Sequence, residues 1–260
     1  MKMKINGNTI LITGGSEGLG YALAKEFVKL GNTVIITGRN IEKLRKAQQT
    51  LKGVVIFQCD NGQYTEIEKL SDYMNDKHQD LNIIVNNAGI MRTINLLEHN
   101  LNRNIADEID VNVKGAIWVT DSLLPLLKTN NNASIVNISS GLAFSPFPIS
   151  PIYSASKAAI HSYSLSLRKQ LEYKNIKVFE LAPPTLKTAM FEAYDERDKK
   201  GVVTMDIKDV LNIFMSNFMK NNYEICPGQS KQLKFMGRFV PNFILSQMSK
   251  SLTRFHIEGN

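Results

Sequence analysis

Short runs of Val, Ile and Leu recur along the chain, and longer stretches with helical spacing of apolar residues separate them. Runs that are apolar throughout are typical of strands buried on both faces of a parallel sheet. We predict strands at residues 9–13, 33–37, 54–58, 83–85, 134–138, 177–181 and 223–225. The intervening stretches predict helices at residues 18–30, 41–51, 64–77, 105–128, 153–173 and 206–219. This alternation predicts an α/β fold, a single-domain Rossmann-type doubly wound parallel sheet of about seven strands with helices on both faces.

Composition agrees with one large domain. The 260 residues are 43% hydrophobic and 21% charged, which is ordinary for a soluble globular protein. The chain enters a strand without a charged leader, and no stretch approaches the roughly 18 uninterrupted apolar residues of a membrane span. Cys59 and Cys226 are too few for a disulfide framework and lack metal-ligand spacing. We therefore expect a cytoplasmic protein that holds no metal.

The positive charge is concentrated in the last part of the chain. We assign residues 1–228 to the sheet domain and residues 229–260 to a basic, apolar-rich C-terminal tail. The tail carries +4 of the net charge of +7, from Lys231, Lys234, Arg238, Lys250 and Arg254 against Glu258 alone. The remainder is nearly neutral, which argues against nucleic-acid binding. Cations interleaved with apolar residues favour packing on a partner subunit, with a membrane-surface segment as the alternative.

The first predicted strand ends in residues 13–20, TGGSEGLG. In open α/β sheets, ligands bind outside the carboxyl ends of the strands. Glycines there permit a tight turn and a close approach of the backbone, with a helix N-terminus facing a pyrophosphate. The pattern T-G-x-x-x-G-x-G replaces the familiar G-x-G-x-x-G. A simple strand–helix junction is the alternative, but the position after the first strand favours a dinucleotide site.

The second predicted strand ends in residues 38–40, GRN, about 20 residues beyond the glycine turn. An acidic residue at this point binds a ribose 2′-hydroxyl, whereas an arginine accommodates a 2′-phosphate. Arg39 can make a charge-assisted, bidentate contact with phosphate, which favours NADP(H) over NAD(H). Glu17 opposes this reading because its carboxylate could lie near the same phosphate. The alternative for Arg39 is an exposed residue at a helix start.

The next two strand ends carry further polar residues. Asp60 follows the third strand and either meets an adenine amino group or caps a helix. Residues 86–89, NNAG, follow the fourth strand and place two amides at the crevice. We expect Asn87 mainly to lock neighbouring strands through backbone hydrogen bonds.

Tyr153 and Lys157 lie four residues apart, so they share one face of the predicted helix 153–173. Free tyrosine has a pKa of about 10 and is almost fully protonated at neutral pH. A nearby ammonium favours the phenolate, so we expect Lys157 to lower the pKa of Tyr153. Tyr-x-x-x-Lys is short and common, and chance neighbours on a helix surface are the alternative when the pair is taken alone.

With Asn112 and residues 139–141, SSG, these features resemble the short-chain dehydrogenase/reductase family over roughly residues 8–226. The family's glycine motif matches at Thr13, Gly14, Gly18 and Gly20, and its N-N-A-G motif at residues 86–89. Its catalytic tetrad falls on Asn112, Ser140, Tyr153 and Lys157. Residues 140–144 and 181–184 are similar to the DltE-like group of bacterial oxidoreductases. Pro184 stands where the family has glycine, and Thr188 is available to hold the carboxamide.

The resemblance implies an NAD(P)-dependent oxidoreductase that transfers hydride between nicotinamide and a carbonyl or alcohol carbon. Tyr153 would donate the proton, Ser140 would bond the same oxygen, Lys157 would hold the ribose, and Asn112 would hold a water of a proton relay. The cofactor-binding set is Thr13, Gly14, Ser16, Glu17, Gly18, Leu19, Gly20, Arg39, Asp60, Asn86, Ala88, Gly89, Tyr153, Lys157, Pro183 and Thr188. The family resemblance also implies a homodimer or homotetramer. A nucleotide-bound regulator or a membrane-associated scaffold is the alternative.

The substrate is expected to be an apolar carbonyl or alcohol compound. Leu142, Phe144 and Phe147 lie in a proline-stiffened segment between Ser140 and Tyr153, and Met190 and Phe191 follow Thr188 in a segment that could act as a lid. The alternative is that these side chains only pack a loop.

We read His161 as a helix-surface or interface residue. We read Asp107 and Glu108 as a solvated helix face.

Overall fold

The structure is a computed structural model and describes residues 2–96, 102–192, 196–199 and 202–252. Within these residues, the strands are β1 (Thr9–Ile12), β2 (Thr33–Gly38), β3 (Val55–Gln58), β4 (Leu81–Asn86), β5 (Ser134–Ile138), β6 (Lys177–Leu181) and β7 (Glu224–Ile225). They form one sheet in the order β3-β2-β1-β4-β5-β6-β7, and all neighbours pair in parallel. The α/β class and the doubly wound sheet predicted from the sequence are confirmed.

The helices are α1 (Gly18–Lys29), α2 (Ile41–Thr50), α3 (Tyr64–Lys77), α4 (Asn102–Ile109), α5 (Gly115–Thr129), α6 (Pro151–Leu171), α7 (Ala189–Glu192), α8 (Glu196–Lys199), α9 (Ile207–Met219), α10 (Gln229–Phe239) and α11 (Pro241–Met248). A π-helical turn, Asp110–Lys114, joins α4 to α5. A 3₁₀ turn, Gly141–Ala143, follows β5. In the part of the chain described here, no helix is long and apolar enough to cross a bilayer.

Two apolar cores cover the two faces of the sheet. One core contains buried residues of α1, α2 and α9, and the other contains those of α3, α5 and α6. Strand β1 shows why its sequence is apolar throughout. Ile10 and Ile12 belong to the first core, Leu11 belongs to the second, and all three are fully buried. A strand between two helical layers must present apolar side chains to both.

The strand order reverses direction between β1 and β4. Chain connections leave β1 toward β2 and β3 on one side and reach β5, β6 and β7 on the other. At such a switch point the loops beyond the strand ends diverge and leave a crevice. The glycine turn after β1 and the NNAG segment after β4 both lie here.

Two departures from the predicted elements bear on the site. The single helix expected over residues 105–128 is three segments, because the π-helical turn interrupts it at Asn112. The C-terminal tail is also not an appendage. It forms α10 and α11, and α10 packs against the Gly141–Ala143 turn. The boundary drawn at residue 228 therefore does not separate two independent parts.

Candidate active site

The glycine turn after β1 leaves no room for side chains. Gly14 has a φ of +62°, and a Cβ there would lie 2.9 Å from the Cα of Ala88. A Cβ on Gly20 would lie 2.3 Å from the carbonyl oxygen of Gly14. No side chain caps the start of α1, so its first N–H groups are available to a ligand at this turn. Such a helix end suits a phosphate.

A cavity of about 980 Å³ follows the carboxyl ends of the strands. The predicted cofactor residues that line it are Gly14, Ser16, Glu17, Gly18, Leu19, Arg39, Asp60, Ala88, Gly89, Tyr153, Lys157, Pro183 and Thr188. The glycine turn and the Tyr153 region therefore open into one space.

Thr13 and Asn87 join the ends of β1 and β4. The Thr13 hydroxyl oxygen accepts hydrogen bonds from the backbone N–H groups of Asn87 and Ala88, each at 3.0 Å. The Asn87 amide donates to the carbonyl oxygens of Thr13 and Gly14 at 2.9 and 3.0 Å. The expected strand lock at Asn87 is confirmed, and Thr13 belongs to the same lock rather than to the cavity wall. Gly20 likewise serves packing.

Asn86 does not line the cavity, which contradicts its predicted role in cofactor binding. Its amide donates to the hydroxyl of Thr120 and to the side-chain oxygen of Asn137, both at 2.9 Å. Successive residues at a strand end project in opposite directions. Asn86 therefore points into the protein interior between β4, α5 and β5, and only its neighbour Asn87 faces the crevice.

The far end of the cavity carries two cations and two carboxylates. Arg39 is exposed, and Lys43 on α2 forms an ion pair with Glu17 at 2.8 Å. Asp60 accepts a hydrogen bond from the Gly62 N–H at 3.0 Å, which closes a turn before α3. Because α3 starts at Tyr64 after Gln63, Asp60 is not its N-cap, and that alternative was wrong.

Tyr153, Ser140 and Lys157 lie together on the cavity wall. The Tyr153 hydroxyl is hydrogen-bonded to Ser140. The Lys157 ammonium donates to the carbonyl oxygen of Ile138 at 2.9 Å and lies 5.5 Å from the centre of the Tyr153 ring. A Cβ on Gly89 would lie 3.4 Å from the Lys157 Nζ. All four expected tetrad residues are buried, at 1–9% exposure, although they were separated in sequence.

Burial dominates the proton affinities of the pair. It raises the pKa of Tyr153 to about 12, an effect that the Ser140 hydrogen bond opposes and the Glu108 charge reinforces. It lowers the pKa of Lys157 to about 8. The expected depression of the Tyr153 pKa by Lys157 is therefore not found in the protein itself. Both shifts have the same cause, since removal from water disfavours whichever form is charged.

The family model for short chain dehydrogenases matches residues 8–199. The chain belongs to the short-chain dehydrogenase family. It is 35% identical over 250 residues to the uncharacterized oxidoreductase DltE of Bacillus subtilis, a match that covers 95% of this chain and 98% of that protein. An uncharacterized oxidoreductase of Staphylococcus epidermidis is 30% identical over 80% of this chain and 90% of its own length. The predicted family and DltE-like group are confirmed.

Solved structures agree with the fold. A short chain dehydrogenase from Burkholderia cenocepacia in complex with NADP has a TM-score of 0.81 at 21% identity, over 95% of this chain and 99% of that one. One from Burkholderia phymatum in complex with NAD has the same TM-score and identity, over 90% and 94% of the two chains. This chain is therefore an NAD(P)-dependent dehydrogenase or reductase by family.

Asn112 of this short-chain dehydrogenase holds the loop after β4. Its side-chain oxygen accepts from the Ile90 N–H at 2.8 Å, and its amide donates to the Ile90 carbonyl at 2.8 Å and to the Ser156 hydroxyl at 3.0 Å. Ile90 lines the cavity beside Gly89. The π-helical turn brings Asn112 to this loop, in keeping with the frequency of such turns at functional sites. Asn112 thus positions the loop that faces Lys157.

Glu108 holds the same loop at Arg92, two residues beyond Ile90. The prediction that Glu108 lies on a solvated helix face was wrong. It is fully buried, and one of its oxygens accepts from the Arg92 N–H at 2.7 Å. The other oxygen has no partner among the described residues. Burial raises the pKa of Glu108 to about 7. Asp107 is half-exposed and pairs with the Arg92 guanidinium at 3.1 Å.

Replacing Glu108 with Gln is expected to flatten the dependence of stability on pH. The folded state binds the Glu108 proton more tightly than the unfolded state, whose pKa is near the ordinary 4.5. The contribution of this proton to the free energy of unfolding is complete below pH 4.5 and is lost as pH rises through about 7, the pKa in the folded state. Urea unfolding at pH 5 and pH 8 should show E108Q gaining about 2–3 kcal/mol relative to wild type at pH 8 only. Asp107→Asn is the control. An equal change at both pH values would contradict a buried, proton-binding Glu108.

The substrate side of the cavity is apolar. Of the predicted pocket residues, Leu142, Phe147 and Phe191 line it. Phe144 does not, because its ring packs edge-on against His161 at 4.9 Å on the other side of the turn. The side chain of Met190 lies outside the described residues. The sequence reading missed a further set from α10 and α11, namely Gln229, Gln232, Leu233, Met236, Ile244, Gln247 and Met248.

Helix α10 fits closely over the loop that carries Ser140. A Cβ on Gly237 would lie 2.1 Å from the Phe144 carbonyl oxygen, and one on Gly141 would lie 2.7 Å from the Ser230 hydroxyl. The Ser145 hydroxyl donates to the Leu233 carbonyl at 3.0 Å. Lys234 forms an ion pair with Glu224. We call α10 and α11 the roof helices, because their inner face closes the substrate side of the cavity.

Glu180 is a buried carboxylate that sequence reasoning missed. It lies on β6, is fully buried, and accepts from the Ser139 hydroxyl at 2.5 Å. His161 lies 2.8 Å from its other oxygen, and this partner raises the pKa of His161. His161 is therefore a partner of the sheet rather than a surface residue. The available signal was a lone acidic residue inside the apolar strand KVFEL.

Proposed function

We propose that this short-chain dehydrogenase is an NADP(H)-preferring reductase of apolar carbonyl compounds. The observation that carries the proposal is the single cavity that joins Arg39 at one end to the Ser140–Tyr153 pair at the other. The residues fit a nicotinamide dinucleotide. Gly14 and Gly18 line the cavity with φ values of +62° and +57°, which side chains rarely allow, and the uncapped start of α1 suits a pyrophosphate.

The bound nicotinamide would supply hydride to the carbonyl carbon, and the protein would supply position and electrostatics. Tyr153 would donate its proton to the carbonyl oxygen, and Ser140 would hydrogen-bond the same oxygen as negative charge develops there. The raised pKa of Tyr153 keeps its hydroxyl protonated at neutral pH, which suits the reductive direction. Lys157 would hold the ribose. The Ile138 carbonyl oxygen holds the lysine in place.

The preference for NADP(H) rests on Arg39. Its guanidinium is exposed at the cavity edge and forms no ion pair within the described residues. Glu17 had counted against a 2′-phosphate, but its charge is balanced by Lys43 at 2.8 Å. Asp60 also lines this region and is engaged with Gly62. With Glu17 neutralised by Lys43, the uncompensated charge of Arg39 favours a doubly charged phosphate over a ribose hydroxyl.

The apolar character of the substrate rests on the walls near Tyr153. Leu142, Phe147 and Phe191 lie on one side, and Leu233, Met236 and Ile244 of the roof helices lie on the other. Gln229, Gln232, Gln247 and Lys250 add polar groups to the roof side, but a charged substrate would still lose hydration beside the apolar side chains. Aliphatic and aromatic ketones or aldehydes are therefore the proposed substrates.

The test is a panel of carbonyl compounds and alcohols, followed at the absorbance band of the reduced nicotinamide with both cofactors. Long-chain and aromatic ketones should be reduced with NADPH at a kcat/KM at least tenfold above that with NADH. Keto acids of matched size should be poor substrates. Faster turnover of keto acids would contradict the apolar assignment, and equal efficiency with the two cofactors would contradict the role of Arg39.

The homodimer or homotetramer that family resemblance implies remains a prediction, as does the cytoplasmic location. Leu165 on α6 is 41% exposed, and Tyr173, just beyond this helix, is 91% exposed. An apolar surface on this side supports an α6-mediated interface. Light scattering of the purified protein measures the assembly directly.

A further inference from the structure

The outer face of α10 alternates cations with phenylalanines. Lys231, Phe235, Arg238 and Phe239 are spaced i, i+4, i+7 and i+8, so they share one side of the helix, and all four are exposed. Phe235 and Phe239 are 62% and 63% exposed, and their ring centres lie 4.7 Å apart. The two rings therefore form one apolar surface.

This surface continues into α11. Val240, Phe243 and Leu245 are 44%, 56% and 41% exposed. Scattered exposed apolar side chains are ordinary, but a contiguous group of large ones marks an interaction site. Leu245 lies two residues beyond Phe243 and so on another side of α11. We call Phe235, Phe239, Val240 and Phe243 the apolar ridge.

The ridge is not a loosely folded end of the chain. The opposite face of the same two helices is packed, with Leu233 and Met236 on the cavity and Ile244 only 7% exposed. Gly237 sits directly against the Phe144 carbonyl, and Lys234 is paired with Glu224. The roof helices are thus fixed on their inner side and present the ridge outward.

Charge selects among the surfaces that the ridge could meet. Residues 229–252 contain Lys231, Lys234, Arg238 and Lys250 and no acidic residue. Lys234 forms an ion pair with Glu224, whereas Lys231 and Arg238 flank the ridge on its outer side. A symmetric contact between two copies would place this surface against itself and bring like charges together. An anionic surface meets the cations and the apolar residues at once.

We propose that the roof helices dock on an anionic lipid bilayer. The phenylalanines of the ridge enter the headgroup and acyl boundary, while Lys231 and Arg238 contact the headgroups. The helices lie along the membrane and do not cross it. Docking itself requires only the surface of the roof helices.

A consequence concerns the substrate and rests on the proposed function. Residues of α11 that line the cavity, Ile244, Gln247 and Met248, lie on the same short helix as Phe243 and Leu245. A docked ridge therefore brings the apolar side of the cavity close to the membrane. The substrate class that fits is a membrane-resident lipid carbonyl or alcohol.

Binding of the full-length protein to vesicles tests docking without any turnover. Sedimentation with vesicles of phosphatidylglycerol and phosphatidylcholine should retain the wild type at low salt, and vesicles of phosphatidylcholine alone should retain much less. Phe235→Ser with Phe239→Ser should weaken binding at least tenfold. Lys231→Gln with Arg238→Gln should weaken binding to anionic vesicles only. Met219→Ser, which removes an exposed apolar side chain at the end of α9, is the control and should bind like wild type.

The proposal is overturned if wild type does not bind anionic vesicles, or if the double phenylalanine variant binds as wild type does. If wild type does not bind vesicles and its assembly dissociates in the double phenylalanine variant, the ridge contacts a second copy of the chain instead. If the protein binds phosphatidylcholine vesicles as well as anionic vesicles, the proposed contact of Lys231 and Arg238 with anionic headgroups is wrong. Unchanged urea unfolding and NADPH binding of each variant show that the fold is intact. Vesicle binding without lipid turnover would leave docking standing and remove only the substrate consequence.

Discussion

Replacing Tyr153 with Phe is expected to lower kcat for carbonyl reduction by about 10²–10⁴-fold, the usual contribution of a positioned proton donor. The substitution removes the hydroxyl that is hydrogen-bonded to Ser140 and leaves the ring in place beside Lys157. The glycine turn, Arg39 and Lys157 are untouched. The dissociation constant of NADPH should therefore change less than about threefold, because the lost group acts on the substrate oxygen.

Tyr173→Phe is the matched control for that experiment, since Tyr173 is 91% exposed and does not line the cavity. Steady-state rates on the best ketone of the panel and fluorescence titration with NADPH give the two quantities. A Tyr153→Phe enzyme with the wild-type kcat would remove Tyr153 as the proton donor. A loss of rate accompanied by an equal loss of NADPH affinity would make it a cofactor-binding residue instead.

Replacing Arg39 with Ala is expected to weaken NADPH about 10- to 100-fold and NADH less than about threefold. The estimate corresponds to one hydrogen bond to a charged group, about 1.5–3 kcal/mol. Arg39 is the cation at the cavity edge that no carboxylate of the described residues neutralises. Only NADPH carries the phosphate that this guanidinium would meet.

Arg45→Ala is the control for the cofactor preference. Arg45 lies on α2, close to Arg39 in sequence, but it pairs with Glu42 at 2.7 Å and is absent from the cavity wall. Titrations of Arg45→Ala with NADPH and NADH should give the same ratio of the two affinities as wild type. Equal weakening of NADPH and NADH by Arg39→Ala would place this arginine on a part that the two cofactors share.

The sheet and the tetrad were accessible from sequence because each leaves a local signal. Strands buried on both faces, such as β1 and β4, read as apolar runs. The glycine turn reads as a cluster of small residues after the first of them. Tyr153 and Lys157 lie one helical turn apart, and the order of the strand-end features along the chain made the family recognisable.

Side-chain direction at single positions was less accessible. Asn86 and Asn87 are adjacent and identical, yet the strand end turns one toward Thr120 and the other toward Gly14. Glu108 and Asp107 are likewise adjacent on α4 and both contact Arg92, but only Glu108 is buried beneath the loop after β4. Which neighbour is buried depends on where a distant loop crosses the helix, and periodicity does not contain that information.

The position of the roof helices over the cavity was not predicted from sequence, for a different reason. Their basic and apolar composition is typical of an exposed tail, and composition alone does not show that one face covers a cavity. The close fit depends on Gly141 and Gly237, which are distant in sequence. Gly237 lies in no motif, and Gly141 lies in one only as a neighbour of Ser140, so neither position indicated that α10 packs against this loop.

We propose that a nicotinamide hydride passes directly to a carbonyl carbon beside Tyr153. The most direct measurement uses NADPH deuterated at C4 on each face in turn, with the best ketone of the panel and mass spectrometry of the alcohol. We predict that one of the two labelled cofactors transfers a single deuterium to the carbinol carbon, and that Tyr153→Phe slows this transfer without redirecting it. Alcohol formed without deuterium from either labelled cofactor would contradict the claim.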